Sequence, residues 1–202
     1  MATKPAPTRR RDAASTKARI LAAARQCFAE HGYAATGIRD IAALAGVSYT
    51  MLGRYYGSKA GLLEAALIDS TSMDPVIAAD RSRFGEHLAE LVTRNLEDGQ
   101  QTAMTLLAAA DPVAREIAVQ VVEERGVQPL AAWIGGSHAR ERAIAIMMLG
   151  GGFVTYSQHL PLLAGPFAPA HVMTRWLARA FQQIVDDPEA WRDIPGPLAP
   201  AR

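Results

Sequence analysis

Residues 36–62, TGIRDIAALAGVSYTMLGRYYGSKAGL, decide the fold. Ile38, Ile41, Ala42 and Ala45 recur at helical spacing, so the stretch opens as a short helix with one apolar face, Gly37 at its start and Asp40 three residues on. Gly46 stops it, because glycine takes the left-handed backbone that turns the chain sharply, and Val47 plugs the corner. Ser48 is a good N-cap for a second helix. Its Leu52, Tyr55 and Tyr56 can pack inward while Tyr49, Thr50, Met51 and Arg54 stay outside. Small Ala42 before the turn and bulky Leu52 after it suit two helices crossing closely, which is helix-turn-helix spacing. Tyr56-Gly57-Ser58-Lys59 closes the second helix and caps a third at Ser58, with Lys59 near its N-terminus. An ordinary three-helix unit would use the same elements.

Charge follows the same division. The chain of 202 residues is half apolar, enough for a sizeable core, and carries a net charge of only +1. Residues 1–59, however, hold ten Lys and Arg against Asp12, Glu30 and Asp40, a net +7, which leaves −6 for the remainder. That asymmetry fits a polyanion-binding N-terminal part on an acidic body; a solvated basic face is the plainer alternative. The single cysteine, Cys27, excludes an internal disulfide and reads as a small core residue beside Phe28. Arg9-Arg10-Arg11 could open a targeting signal, but the following stretch is interrupted by Lys17, Arg19 and Arg25 and contains no apolar core. The apolar run from Ala143 to Val154 is too short to cross a bilayer core about 30 Å thick. A cytoplasmic protein without membrane contact is expected.

Outside the motif the chain reads as helices. Residues 1–11 are expected to be a disordered basic arm, serving either phosphate contact or solubility. A helix from Ala13 to Glu30 ends at Gly32, and the helix opening at Lys59 carries Leu62, Leu63, Ala66 and Leu67 until Asp74-Pro75 breaks it. Further helices are predicted over 82–97 and 102–110. Another opens at Asp111-Pro112 and stops at Gly126, followed by a short apolar segment, Leu130 to Ile134. A long helix over 137–158 contains Gly150-Gly151-Gly152, each costing about 1 kcal/mol relative to alanine. Close approach of another helix, a kink, or a plain break would each account for them. The last helix, 170–185, is predicted to bury Val172, Trp176, Phe181 and Ile184, with Arg175 and Arg179 outward; a Pro-rich tail follows, in which Trp191 could dock.

No convergent catalytic constellation is visible. His31, His87, His138, His159 and His171 are scattered without metal-ligand spacing, and the 150–152 glycines lack the Lys-Ser/Thr of a phosphate loop. Neither enzymatic activity nor a metal or other cofactor is expected.

From Ile20 to Leu67 the sequence resembles the TetR family of bacterial transcriptional regulators. The resemblance rests on Ile20-Leu21, Ala24, Phe28, His31-Gly32-Tyr33, Thr36, Arg39-Asp40-Ile41-Ala42, Ala45-Gly46-Val47-Ser48, and Tyr56, Ser58-Lys59, Leu62-Leu63, all in order. It implies an all-α protein: a three-helix helix-turn-helix DNA-binding domain over 12–57, a linking helix over 58–74, a helical ligand-binding and dimerisation domain over 75–187, and a tail over 188–202. It also implies that Arg39 reaches a base or phosphate, that Ser48, Tyr49, Thr50 and Met51 face the major groove, that Arg54, Tyr55 and Lys59 meet phosphates, and that Thr36 makes a weaker backbone contact. The family usually has a tyrosine where this chain has Gly53, which leaves that phosphate contact in question. The expected partners are a double-stranded DNA operator of palindromic sequence, a second copy in a homodimer, and a small, hydrophobic effector that releases a repressor from DNA. Met104, Leu107, Trp133, Met147, Phe153 and Tyr156 are the candidate pocket residues, since methionine and aromatic side chains adapt to irregular ligands, although residues of these types more often serve simply as core. A helix-turn-helix protein with no small-molecule switch, and an enzyme or carrier built on the helical body, are the rival readings.

Overall fold

A computed structural model describes residues 7–78, 80–94, 99–163 and 167–191, with the side chains of 7–12 outside that description; among the described residues every regular element is helical. Chain contacts divide it into two units, Met1–Thr71 with Gln100–Val121, and Ser72–Gly99 with Val122–Arg202.

In the first unit, α1 (Pro7–Ala35) puts Ile20, Ala23, Ala24, Cys27 and Phe28 on one buried stripe. Gly32, at φ 72° and ψ 176°, breaks its regular path where the sequence predicts an end. The helix opens earlier than Ala13, so the backbone of 7–11 is helical rather than a disordered arm; residues 1–6 lie outside the described residues. Against the α1 stripe pack Ile41, Ala42 and Ala45 of α2 (Ile38–Ala45), Leu52 of α3 (Tyr49–Tyr56), and Leu62, Leu63, Ala66 and Leu67 of α4 (Lys59–Ser70). Burial of this continuous apolar surface holds the motif at one angle. The same core takes Met104 and Ala108 from α7 (Gln100–Ala108) and Ala114, Ala118 and Val121 from α8 (Pro112–Val122). These two helices therefore belong with the N-terminal unit by contact, whereas the sequence division assigns them to the body. Periodicity tells which face of a helix is buried but not what it is buried against. Asp111 caps α8 as read, its Oδ1 accepting from the amides of Val113 and Ala114 at 3.0 Å each.

In the second unit, Pro75 lies in the first turn of α5 (Asp74–Ile77), so it starts a helix; α4 has already ended at Ser70. Helix α6 (Phe84–Arg94) packs on α11 (Val172–Asp186) at Gly85, where a β-carbon would stand 2.1 Å from the carbonyl oxygen of Ala178. Gly126 does not stop a helix, contrary to the sequence reading. Helix α8 runs into a π-turn, Glu123–Val127, and on into α9 (Gln128–Ile134), with Gly126 buried against the tip of Met147. Helix α10 (Ala139–Val154) passes through Gly150–Gly152 without a break and widens into a second π-turn, Thr155–His159. A β-carbon at Gly150 would stand in ordinary contact, 3.7 Å, with Phe181 and Val92, while the chain places nothing within 4 Å of one at Gly151 or Gly152.

The buried stripe of α11 is Thr174, Leu177, Phe181 and Val185. Of the residues predicted to be buried there, only Phe181 is: Val172 is 72% exposed, Trp176 49%, and Ile184 half-buried. Thr174 goes inside because its hydroxyl can bond the carbonyl of Phe167, at 3.4 Å. Arg142 is buried too, its guanidinium donating to the carbonyls of Ile184, Val185 and Gly135 at 2.8, 2.6 and 3.3 Å and so capping the ends of α11 and α9. Burial holds its pKa below the usual arginine value, and the nearby charge of Arg81 acts in the same direction. Trp191 is half-buried in a 3-10 turn, Glu189–Trp191; the tail after it lies outside the described residues.

Candidate nucleic-acid interface

The turn between α2 and α3 is built as its residues dictate. Gly46 adopts the left-handed conformation, φ 62° and ψ 42°, and its amide bonds back to Ala43 at 3.1 Å while that of Val47 bonds to Ala42 at 3.0 Å. A clamp that the motif pattern does not announce secures it from outside. Arg19 of α1 donates through Nε and Nη2 to the carbonyl of Ala45, at 3.1 and 2.7 Å, and through Nη2 to that of Gly46 at 2.9 Å. A cation on the last carbonyls of a helix is favoured by both hydrogen bonding and the helix dipole. Ser48 occupies the N-cap position of α3, but its hydroxyl lies 3.0 Å from the Thr50 hydroxyl and makes no capping bond. That hydroxyl pair is exposed at the start of α3.

Leu52 buries the inner side of α3, which leaves Ser48, Tyr49, Thr50, Met51 and Arg54 exposed on the other. Arg39 of α2 joins them: its guanidinium carbon stands 5.7 Å from the centre of the Tyr49 ring, so the two side chains form one cation–π pair. Tyr55 is half-buried beneath the Lys17 ammonium, 5.5 Å from the ring centre, and the Tyr56 hydroxyl donates to the Lys17 carbonyl at 3.5 Å. Nothing in the local sequence pattern marks Lys17 for this place. Nothing lies within 4 Å of a β-carbon built at Gly53, which sits inside α3 on the exposed side.

Two expected surface residues face inward. The Thr36 side chain is buried, its hydroxyl donating to the carbonyls of Cys27 and Gly32 at 3.0 and 2.6 Å, so it closes the end of α1 and is not a surface contact. The Lys59 ammonium donates to the carbonyls of Thr36 and Ala34, at 2.9 and 3.4 Å, and lies 4.4 Å from the centre of the Tyr33 ring.

The fold is that of known regulators. Residues 20–66 match the model for bacterial regulatory proteins of the tetR family, and residues 82–185 match a tetracyclin repressor-like C-terminal domain. The chain belongs to the TetR family. An HTH-type transcriptional repressor of Mycobacterium tuberculosis and an HTH-type transcriptional regulator of Mycobacterium bovis are each 44% identical to it over 70 residues, 33% of this chain. That match spans only 37% of the length of either relative. Among solved structures, a TetR-family regulator from Streptomyces coelicolor A3 is 25% identical with a TM-score of 0.53, covering 92% of this chain and 99% of that one. The fatty acid degradation regulator FadR from Bacillus halodurans, 16% identical, shares the fold at a TM-score of 0.64 over 84% of this chain and 98% of its own.

The candidate pocket residues of this TetR-family chain do not all fall in one unit. Met104 is buried in the first core, and Leu107 of the same unit is 39% exposed. In the second unit Trp133 stacks on Phe84 at 4.8 Å, Met147 abuts Gly126, Phe153 is buried edge-on to Phe167 at 5.2 Å, and Tyr156 is half-exposed. No group of His, Cys, Asp and Glu that could hold a metal occurs among the described residues, and no helix among them is long and apolar enough to cross a membrane.

Proposed function

We propose that the protein is a homodimeric transcriptional repressor that reads a palindromic operator through α3 and Arg39 and leaves it when a small hydrophobic effector binds the second unit. The observation that carries the reading is the exposed edge of the helix-turn-helix, where Arg39, Tyr49, Thr50, Met51 and Arg54 stand clear on the basic part of the chain. An α-helix fits a major groove about 12 Å wide, and side chains of these types reach base edges and phosphates. The Mycobacterium tuberculosis relative, matched over 70 residues, is itself named a repressor.

A dimer is supported by the second unit. Met148, Tyr156, Val172 and Trp176 on the last two helices and the turn between them are exposed apolar groups, and the space beside Gly151 and Gly152 is open to another helix. Half-buried Trp133 and Met147 supply uncharged surface for an effector, whereas Phe153 is buried. Footprinting of the purified protein on DNA flanking its own gene tests the proposal. Protection of a symmetric site with half-sites about one helical turn apart is expected, lost steeply as salt rises. Equal affinity for that DNA and random duplex would refute it.

A further inference from the structure

We propose that Tyr49 is a positioning residue for Arg39: its ring holds the guanidinium in one pose on the free protein, so that the two side chains read a single base pair as a unit and Tyr49 acts through Arg39 rather than on a base of its own. The inference rests on the DNA-binding reading above and adds to it a division of labour along the exposed edge. Arg39 lies on α2 and Tyr49 on α3, with the turn between them, yet the guanidinium carbon of one stands 5.7 Å from the ring centre of the other, within the range of a cation–π attraction.

Nothing competes for the Arg39 charge. The residues three and four further along its helix are Ala42 and Ala43, so no carboxylate stands where an ion pair on one helix would form, and among the described residues Arg39 makes no ion pair. Asp40, its neighbour, lays its carboxylate back toward Gly37 at the start of α2, where a β-carbon would stand 2.6 Å from Oδ2. The Tyr49 side chain is not committed to the core either: it is 56% exposed, and Leu52 fills the buried side of α3. A free arginine loses rotamer freedom when it enters a groove, whereas a guanidinium already held over a ring has lost part of it before DNA arrives. The contact engages the charge and leaves the N–H donors free, so the planar fork can still bond a base edge. Thr50, next to Tyr49 in sequence, belongs to a different pair, its hydroxyl 3.0 Å from that of Ser48. It therefore supplies the control.

Titrations against operators changed one base pair at a time test the unit. Arg39→Ala identifies the base pair that Arg39 reads, as the position where discrimination is lost. Tyr49→Leu should flatten discrimination at that same position and weaken binding about threefold or more, the double variant should discriminate there no worse than Arg39→Ala alone, and Tyr49→Phe, which keeps the ring, should match wild type. Losses from Thr50→Ala and Arg39→Ala should simply add. Discrimination lost at another base pair in Tyr49→Leu, an equal loss in Tyr49→Phe, or additive losses from Arg39→Ala and Tyr49→Leu would give Tyr49 a contact of its own and overturn the proposal. Coupling of Arg39 to Thr50 as strong as to Tyr49 would overturn it too, since a displaced α3 would then explain both. In the DNA-free protein the Tyr49 ring current should move the Arg39 side-chain proton resonances upfield, and Tyr49→Leu should return them to the positions of a free arginine; unshifted resonances in the wild type refute the pair. If the wild type binds no DNA sequence in preference to another, the proposed function falls and the joint reading with it, while the resonances still decide whether the pair exists.

Discussion

Gly53→Ala isolates the one position where the DNA-reading helix departs from its family's pattern. Gly53 is helical, exposed, and has free space where a β-carbon would stand. No steric term therefore opposes the gain in helix propensity, about 1 kcal/mol for alanine over glycine in a helix interior. Helix α3 has only eight residues, so its ends fray and the realised gain lies somewhat below that figure. For a cooperative unit of this chain's length, 1 kcal/mol corresponds to a rise in melting temperature of about 2–4 °C. A thermal melt followed by circular dichroism reads it directly. No rise at all would mean that α3 is not helical through Gly53 in solution.

Binding separates two accounts of why glycine stands there. Either the position is relaxed and the operator is held without a contact from it, or the absent side chain lets the α3 backbone lie closer to DNA. We favour the first, on which Gly53→Ala leaves affinity unchanged and Gly53→Tyr adds a phosphate contact and tightens binding. Gly53→Ala that melts higher yet binds operator more weakly would refute that choice and establish close approach.

Other consequences are independent of DNA. Gly85→Ala should destabilise by about 3 kcal/mol, because its β-carbon would meet the backbone of α11 at the Ala178 carbonyl and the Gln182 amide, neither of which can yield without parting the helices; a denaturant titration measures it. Ser157→Ala should stabilise by about 1 kcal/mol, since the Ser157 hydroxyl is buried in the π-turn without a hydrogen-bond partner, and an unchanged melting temperature would indicate a partner in solution. Gly151→Leu should leave the fold intact, as the chain places nothing within 4 Å of its β-carbon, yet convert a dimer to monomer in sedimentation at micromolar concentration; a persistent dimer would remove the last two helices from the interface.

The motif was legible because each of its decisive residues acts locally. Gly46 turns the chain, Ser58 caps α4 by accepting from the Gly61 amide at 3.0 Å, and Leu52 and Ile41 fall on the buried sides that their spacing demands. Gly126 has the same sequence appearance as Gly46 and the opposite role. A glycine in a helical run either ends it or admits a neighbour, and the neighbour here is Met147, far along the chain. The buried side of α11 was illegible for a related reason. Val172, Trp176, Leu177, Phe181, Ile184 and Val185 make an apolar stripe wider than one core can cover, and the carbonyl of Phe167 that welcomes Thr174 decides which half goes inside. Burial of Arg142 is not legible in sequence because charge ordinarily marks the outside; three carbonyls at two helix ends reverse that rule.

The same lesson changes what the basic N-terminal charge means. Of the ten Lys and Arg in residues 1–59, Arg19 is committed to Ala45 and Gly46, Lys59 to Ala34 and Thr36, and Arg25 to Asp69. These add to the field that draws DNA in, but their hydrogen-bonding groups are turned to the protein. Of the other cations in residues 1–59 whose side chains are described, Lys17, Arg39 and Arg54, all are exposed. If each met one phosphate in both halves of a dimer, the slope of log affinity on log salt would be roughly −5, at about 0.9 per phosphate. Lys4, Arg9, Arg10 and Arg11, whose side chains lie outside the described residues, can only steepen it. A protein beginning at residue 12 thus separates the motif from its leading segment: a slope near −5 in both proteins assigns phosphate contact to the motif alone, and a shallower slope on truncation measures the number of phosphates that the first eleven residues hold.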